Sequence, residues 1–173
     1  DVLCGSLVDF TIVATADQGS FTRTFSARVG SQGTTTSTYG STDVPKTIAD
    51  LATVTSSLTV AASANMVDAD VGVTLTHTWD GDLILTLIAP NGLRILLANQ
   101  EGGAGLNYTS TIFDDQATTP IGSGVAPFSG RFKPEQRLSN LGGVPANGTW
   151  KLEIQDVGPG DTGTLLAWSM TET

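Results

Sequence analysis

Between residues 71 and 79, Val71, Val73, Leu75, His77 and Trp79 alternate with Gly72, Thr74, Thr76 and Thr78. A strict period of two predicts a strand with one face on a core. Asp80-Gly81-Asp82 breaks the period, and residues 83–88 (LILTLI) run almost wholly apolar, as in a strand covered on both faces. Ala89-Pro90-Asn91-Gly92 is a tight-turn signal, because proline presets φ and Asn-Gly accepts positive φ. Residues 93–97 return as the partner strand. Two adjacent hairpins within 27 residues are the nucleus of an antiparallel sandwich.

Other stretches extend the pattern. Residues 7–14 alternate, 17–20 form a turn, and Phe21, Phe25 and Val29 share a face, which predicts an N-terminal hairpin. Residues 30–42 (GSQGTTTSTYGST) read as a linker. Val54, Leu58 and Val60 mark another strand, and Trp150, Leu152 and Ile154 alternate with Lys151, Glu153 and Gln155 in a further one. Residues 164–171 close the chain. Residues 99–107, with Gly102, Gly103 and Gly105, read as a loop. Residues 118–141, with Pro120, Pro127 and Pro134, form a long ordered excursion. No stretch carries a capped helical period. The expectation is an all-β fold: a jelly-roll-like antiparallel β-sandwich, galactose-binding-like, over residues 43–173. Residues 1–42 would be a hairpin extension and linker, packed on the sandwich or forming the tail of an upstream module.

Composition narrows the function. Of the 173 residues, 39% are hydrophobic and 14% charged, which excludes whole-chain disorder. A formal net charge of −9 argues against nucleic acid and against anionic lipid, both of which need clustered Lys and Arg. No apolar run approaches the roughly 18 residues of a membrane span. Cys4 is the only cysteine, so an intrachain disulfide is excluded. With one histidine and one cysteine, a zinc site lacks its ligands. His77 alternates with Leu75 and Trp79 on the buried face, where a satisfied core imidazole fits better than a catalytic triad. Trp79, Trp150 and Trp168 likewise read as core, leaving Tyr39 and Tyr108 as candidate exposed aromatics. Asp114, Asp115, Asp156 and Asp161 fall in loops near strand ends, as do Asp80 and Asp82. Such carboxylates supply hard oxygen ligands to calcium, or cap turns by accepting backbone N–H groups.

Two blocks carry a family resemblance. HTWDGDLILTLIAPNG (residues 77–92) and NGTWKLEIQDVGPGDTGTLLAWSMTE (residues 147–172) resemble, in the same order, the P domain of proprotein convertases and of secreted bacterial serine proteases and metalloproteases. The resemblance implies an extracellular, non-catalytic sandwich that docks on the catalytic domain of a parent protease and stabilises or regulates it. It also implies bound calcium (Ca2+), for which Asp114, Asp115, Asp156 and Asp161 are the nominated ligands. The same sandwich would serve a carbohydrate- or surface-binding module, expected to show an exposed aromatic cluster. It would also serve a structural or adhesion module of an extracellular protein.

Overall fold

Two strands, Leu7–Ala16 (β1) and Gly19–Arg28 (β2), pair antiparallel across a two-residue turn, with Phe10 opposite Phe25 and their rings stacked at 5.3 Å. Across the ribbon, the Thr11 and Thr24 hydroxyls meet at 3.2 Å and the Ser26 hydroxyl donates to Asp9. Position parity puts these groups on the face opposite Phe10, Ile12 and Phe25, which are exposed. The computed structural model describes residues 7–28, 36–62 and 65–172, so Val29 and Cys4 lie outside the described residues. The chain divides between Thr35 and Thr36 into two compact units, and β1 and β2 belong to the first.

The second unit is a β-sandwich. Its strands are Ser37–Gly40 (β3), Lys46–Ile48 (β4), Thr53–Val60 (β5), Ala69–His77 (β6), Leu83–Ile88 (β7), Arg94–Asn99 (β8), Tyr108–Phe113 (β9), Phe128–Phe132 (β10), Gly148–Asp156 (β11) and Gly163–Glu172 (β12). One sheet runs β10-β9-β6-β12-β3, with β4 also on β12; the other runs β5-β11-β7-β8. All pairs are antiparallel except β9 with β10, so the first sheet is mixed. The alternation of β6 buries Val71, Val73, Leu75 and His77 while Thr76 stays outside. These side chains join Leu165, Trp168 and Met170 of β12 and, from the facing sheet, Leu83, Leu85 and Leu87 of β7 and Trp150, Leu152 and Ile154 of β11. Trp150 donates its indole N–H to the Ala146 carbonyl (2.8 Å) and Trp168 to the Ser56 hydroxyl (2.7 Å), so neither ring buries an unpaired donor.

Several expectations change. Residues 37–40, read as linker, form β3 on β12, where threonine and tyrosine suit a strand and Tyr39 packs half-buried against the core. The excursion at 118–141 holds β10 and two short 3-10 turns, Ile121–Ser123 and Leu138–Leu141, pinned by bonds such as Lys133 N–H to Thr119 O (2.8 Å) and Gln136 N–H to Leu96 O (2.9 Å). Trp79 is not core: β6 ends at His77, the 3-10 turn Asp80–Asp82 follows, and the indole is 43% exposed. Tyr108, expected at the surface, is wholly buried against Phe128 at 4.7 Å.

Candidate functional site

The four nominated aspartates fall into two separate groups. Asp114 and Asp115 follow β9, and because neighbouring residues of extended chain point to opposite sides they find different partners. Asp114 is buried, receives Arg131 Nη1 at 2.6 Å on one oxygen and the Gln116 N–H at 2.6 Å on the other. The same Arg131 nitrogen donates to Asp70 at 2.8 Å, so one guanidinium ties β6, β9 and β10 together. Asp115 accepts the N–H groups of Leu138 and Ser139, both at 2.8 Å, and so caps the start of the 3-10 turn.

Asp156 and Asp161 lie at the other group, around the β11–β12 turn. His77 Nε2–H donates to Asp156 Oδ2 at 3.2 Å, and the Gly158 N–H donates to Oδ1 at 3.1 Å. Nδ1 of His77 lies between the carbonyl (2.9 Å) and the N–H (3.3 Å) of Trp79. The residue is 2% exposed, and among the described residues no serine hydroxyl bonds to the ring. The imidazole therefore splices the end of β6 to the end of β11. Asp161 accepts the Thr78 hydroxyl at 2.7 Å, and Asp50 accepts the Gly160 N–H at 2.9 Å. Asp82 sits within this group: partial burial and the negative charges of Asp156, Asp161 and Asp50 raise its pKa. None of the described ion pairs involves Asp50, Asp82 or Asp161.

Asp80, which the sequence marked only as one flank of a turn, holds the adjoining loop. Its N–H donates to Gly105 O (2.9 Å), the Gly81 N–H to Gly103 O (2.8 Å), and the Asn107 N–H to Asp80 Oδ1 (2.9 Å). Asn107 Oδ1 in turn accepts the His77 N–H at 3.0 Å. Asp80 is wholly buried and its Oδ2 has no partner; the same holds for the Tyr108 hydroxyl. Burial pushes the Asp80 carboxyl up to about 6, against the opposing pull of the Asn107 N–H and His77. Burial, with the charges of Asp80 and Glu101, also makes the Tyr108 proton harder to remove.

The fit to calcium differs between the two groups. Asp114 and Asp115 already have both oxygens engaged, one of them by a cation of this chain, which does not suit a metal ligand. The donor chemistry at Asp50, Asp82 and Asp161, hard oxygens with no basic partner, suits calcium. Among the described residues, no three acidic, histidine or cysteine side chains converge into a ready metal cage. On the outer face of the first sheet, a cavity of about 390 Å³ is lined by small residues including Gly40, Gly72, Ser110 and Ser169. No helix of the described residues is long and apolar enough to cross a membrane.

Comparisons with known proteins fit this architecture. The chain is 35% identical over 121 residues to a transglutaminase-activating metalloprotease of Streptomyces mobaraensis, covering 69% of this chain and 13% of that protein. It is 32% identical over 126 residues to a calcium-dependent protease of Nostoc sp., covering 71% of this chain and 16% of that protein. It therefore spans less than a fifth of the length of these relatives. The crystal structure of a serine protease of Aeromonas sobria shares the fold, with a TM-score of 0.53 at 17% identity over 94% of this chain and 36% of that one. The family model described as the proprotein convertase P-domain matches residues 66–172, from just before β6 to the end of β12. The chain belongs to the proprotein convertase P-domain family.

Proposed function

We propose that this chain is the accessory P domain of a secreted bacterial protease and that it holds the parent's catalytic domain in its folded state without cleaving substrate itself. The match to the P-domain family over residues 66–172, together with relatives that are proteases, carries the reading. The physical route is linkage: an interface formed only by the folded catalytic domain must be broken before that domain unfolds. The test is the parent protease with and without residues 36–173. Loss of the sandwich should shorten the lifetime of activity at elevated temperature; equal lifetimes would overturn the reading.

Calcium enters this reading at the acidic end, near Asp82 and Asp161, rather than at Asp114 and Asp115. When bound there, the ion supplies positive charge that relieves the repulsion among Asp50, Asp82 and Asp161. An ion that binds only the folded state raises the melting midpoint by mass action. The midpoint of the isolated chain should therefore rise with added calcium and fall back with chelator. Asp82→Asn and Asp161→Asn should each blunt that response, while Asp115→Asn lowers the midpoint and leaves the response intact. An identical curve in calcium and in chelator would remove the ion from the reading.

A further inference from the structure

The hairpin of the first unit has two unlike sides. Cross-strand pairing sets Phe10 against Phe25, Ile12 against Arg23 and Ala14 against Phe21, all on one side. The other side pairs Asp9 with Ser26, Thr11 with Thr24 and Thr15 with Ser20, interrupted by Val13. Such a division marks a sheet that is packed on one face and wet on the other. Yet Phe10 is 46% exposed, Phe25 51%, Ile12 57% and Phe21 62%. The edges are bare as well. β1 and β2 pair in unbroken register and form a two-stranded sheet, with no third strand beside them among the described residues. Neither strand carries proline, lysine or a bulge, the usual means of blunting an edge. A lone hairpin is marginal in water, and a stable sheet needs a third strand or a layer over its apolar face.

We propose that β1 and β2 are two strands of a second β-sandwich of the parent protein, in which the phenylalanine side packs on an apolar sheet and a bare edge takes a further strand. Size argues against a second copy of the hairpin as the cover. A ribbon of ten-residue strands presents about 330 Å², so two of them face to face bury roughly 700 Å², well under the roughly 1,200 Å² of a stable interface. The outer sheet faces of the second unit are polar: β5 turns Thr53, Thr55 and Thr59 outward, and β6 turns Thr74 and Thr76. They offer no apolar layer to match. Arg23 defines the occupant further. It is the one charged side chain on the apolar side, and none of the described ion pairs involves it. Its stem lies along apolar surface while its guanidinium needs an acceptor, so the facing sheet is apolar with a carboxylate or carbonyl at its rim. The inference needs the parent protein of the reading above but not the protective role assigned there.

The test compares amide hydrogen exchange at residues 8–27 in the isolated chain and in the full-length protein, each with its Phe10→Ser/Phe25→Ser and Thr11→Ser/Thr24→Ser variants. In the isolated chain these amides should exchange almost as fast as in an unfolded peptide, and the chain should sediment as a monomer. In the full-length protein the same amides should exchange at least about a hundred-fold more slowly. The phenylalanine variant should speed their exchange there at least about ten-fold, while exchange in β6 and β11 stays unchanged. The threonine variant, on the wet side, should leave the protection in place. Slow exchange in an isolated monomer would put the cover within this chain, and slow exchange in a self-associating chain would make it a second copy. Fast exchange in the full-length protein, or protection there that survives the phenylalanine variant, would leave that side without the apolar layer. Each of these results overturns the proposal. If the hairpin is protected as expected but removal of residues 36–173 leaves the lifetime of activity unchanged, the accessory reading falls and the second sandwich stands.

Discussion

Asp80→Asn should make the isolated sandwich more stable at pH 8, by about 1–2 kcal/mol, with the gain disappearing near pH 4. The sign follows from the buried carboxyl. Its folded-state pKa is raised to about 6 from an ordinary value of 3.8, so the folded state holds the proton more tightly than the unfolded chain does. The protonated carboxyl is therefore tolerated below about pH 4, and stability drains away as the pH rises through about 6. The full difference corresponds to about 3 kcal/mol, from roughly 1.4 kcal/mol per pH unit. Asparagine keeps the oxygen that accepts the Asn107 N–H but sets an amide where Oδ2 has no partner, and that unsatisfied group takes back about 1–2 kcal/mol. Chemical denaturation of both proteins at pH 4, 6 and 8 measures the effect. A variant less stable than the parent at pH 8 would mean that the ionised carboxylate has a favourable partner, and the argument from desolvation would fall.

Gly163→Ala should be the most damaging conservative change in the sandwich, costing about 3 kcal/mol or more. Gly163 opens β12 between β6 and β4, opposite His77 on one side and Ile48 on the other. A Cβ there would run into the Thr76 carbonyl oxygen and lie 2.7 Å from Cδ2 of His77. The oxygen belongs to a paired strand and the ring is fixed by Asp156 and by Trp79, so neither can step aside without breaking hydrogen bonds. Overpacking ordinarily costs about 1–3 kcal/mol, and collision with backbone lies at the upper end. Gly40→Ala is the control, because nothing lies within 4 Å of its added Cβ and its φ is not positive; it should shift stability by no more than about 0.5 kcal/mol. Equal effects at the two positions would refute the steric account.

The architecture was legible where local pattern and long-range pairing agree. Alternation put Val71, Val73, Leu75 and His77 inside, and burial of the lone imidazole followed from its place in that series. The same rule failed two residues later. Trp79 continues the period, but the chain leaves the strand because Asp80 and Gly81 bond to Gly105 and Gly103, partners more than twenty residues away. Tyr108 was misplaced for a related reason: it starts a strand that Asn107 precedes and Ser110 interrupts, both with positive φ, so no clean alternation announces it. The parallel pairing of β9 with β10 left no local trace either, since Phe128 and Phe132 alone mark a five-residue strand. The carboxylates were visible as loop residues but not by role. Which of them meets Arg131, which caps a turn and which is left crowded among like charges depends on strands brought together from across the chain.

Ser37, where the sandwich begins, lies directly opposite Glu172, near where it finishes. The polypeptide thus goes in and comes out through one seam, at the far end from Trp79 and Asp161. A module wired that way can be spliced into different host proteins, or moved between them, without forcing either partner to open its own framework.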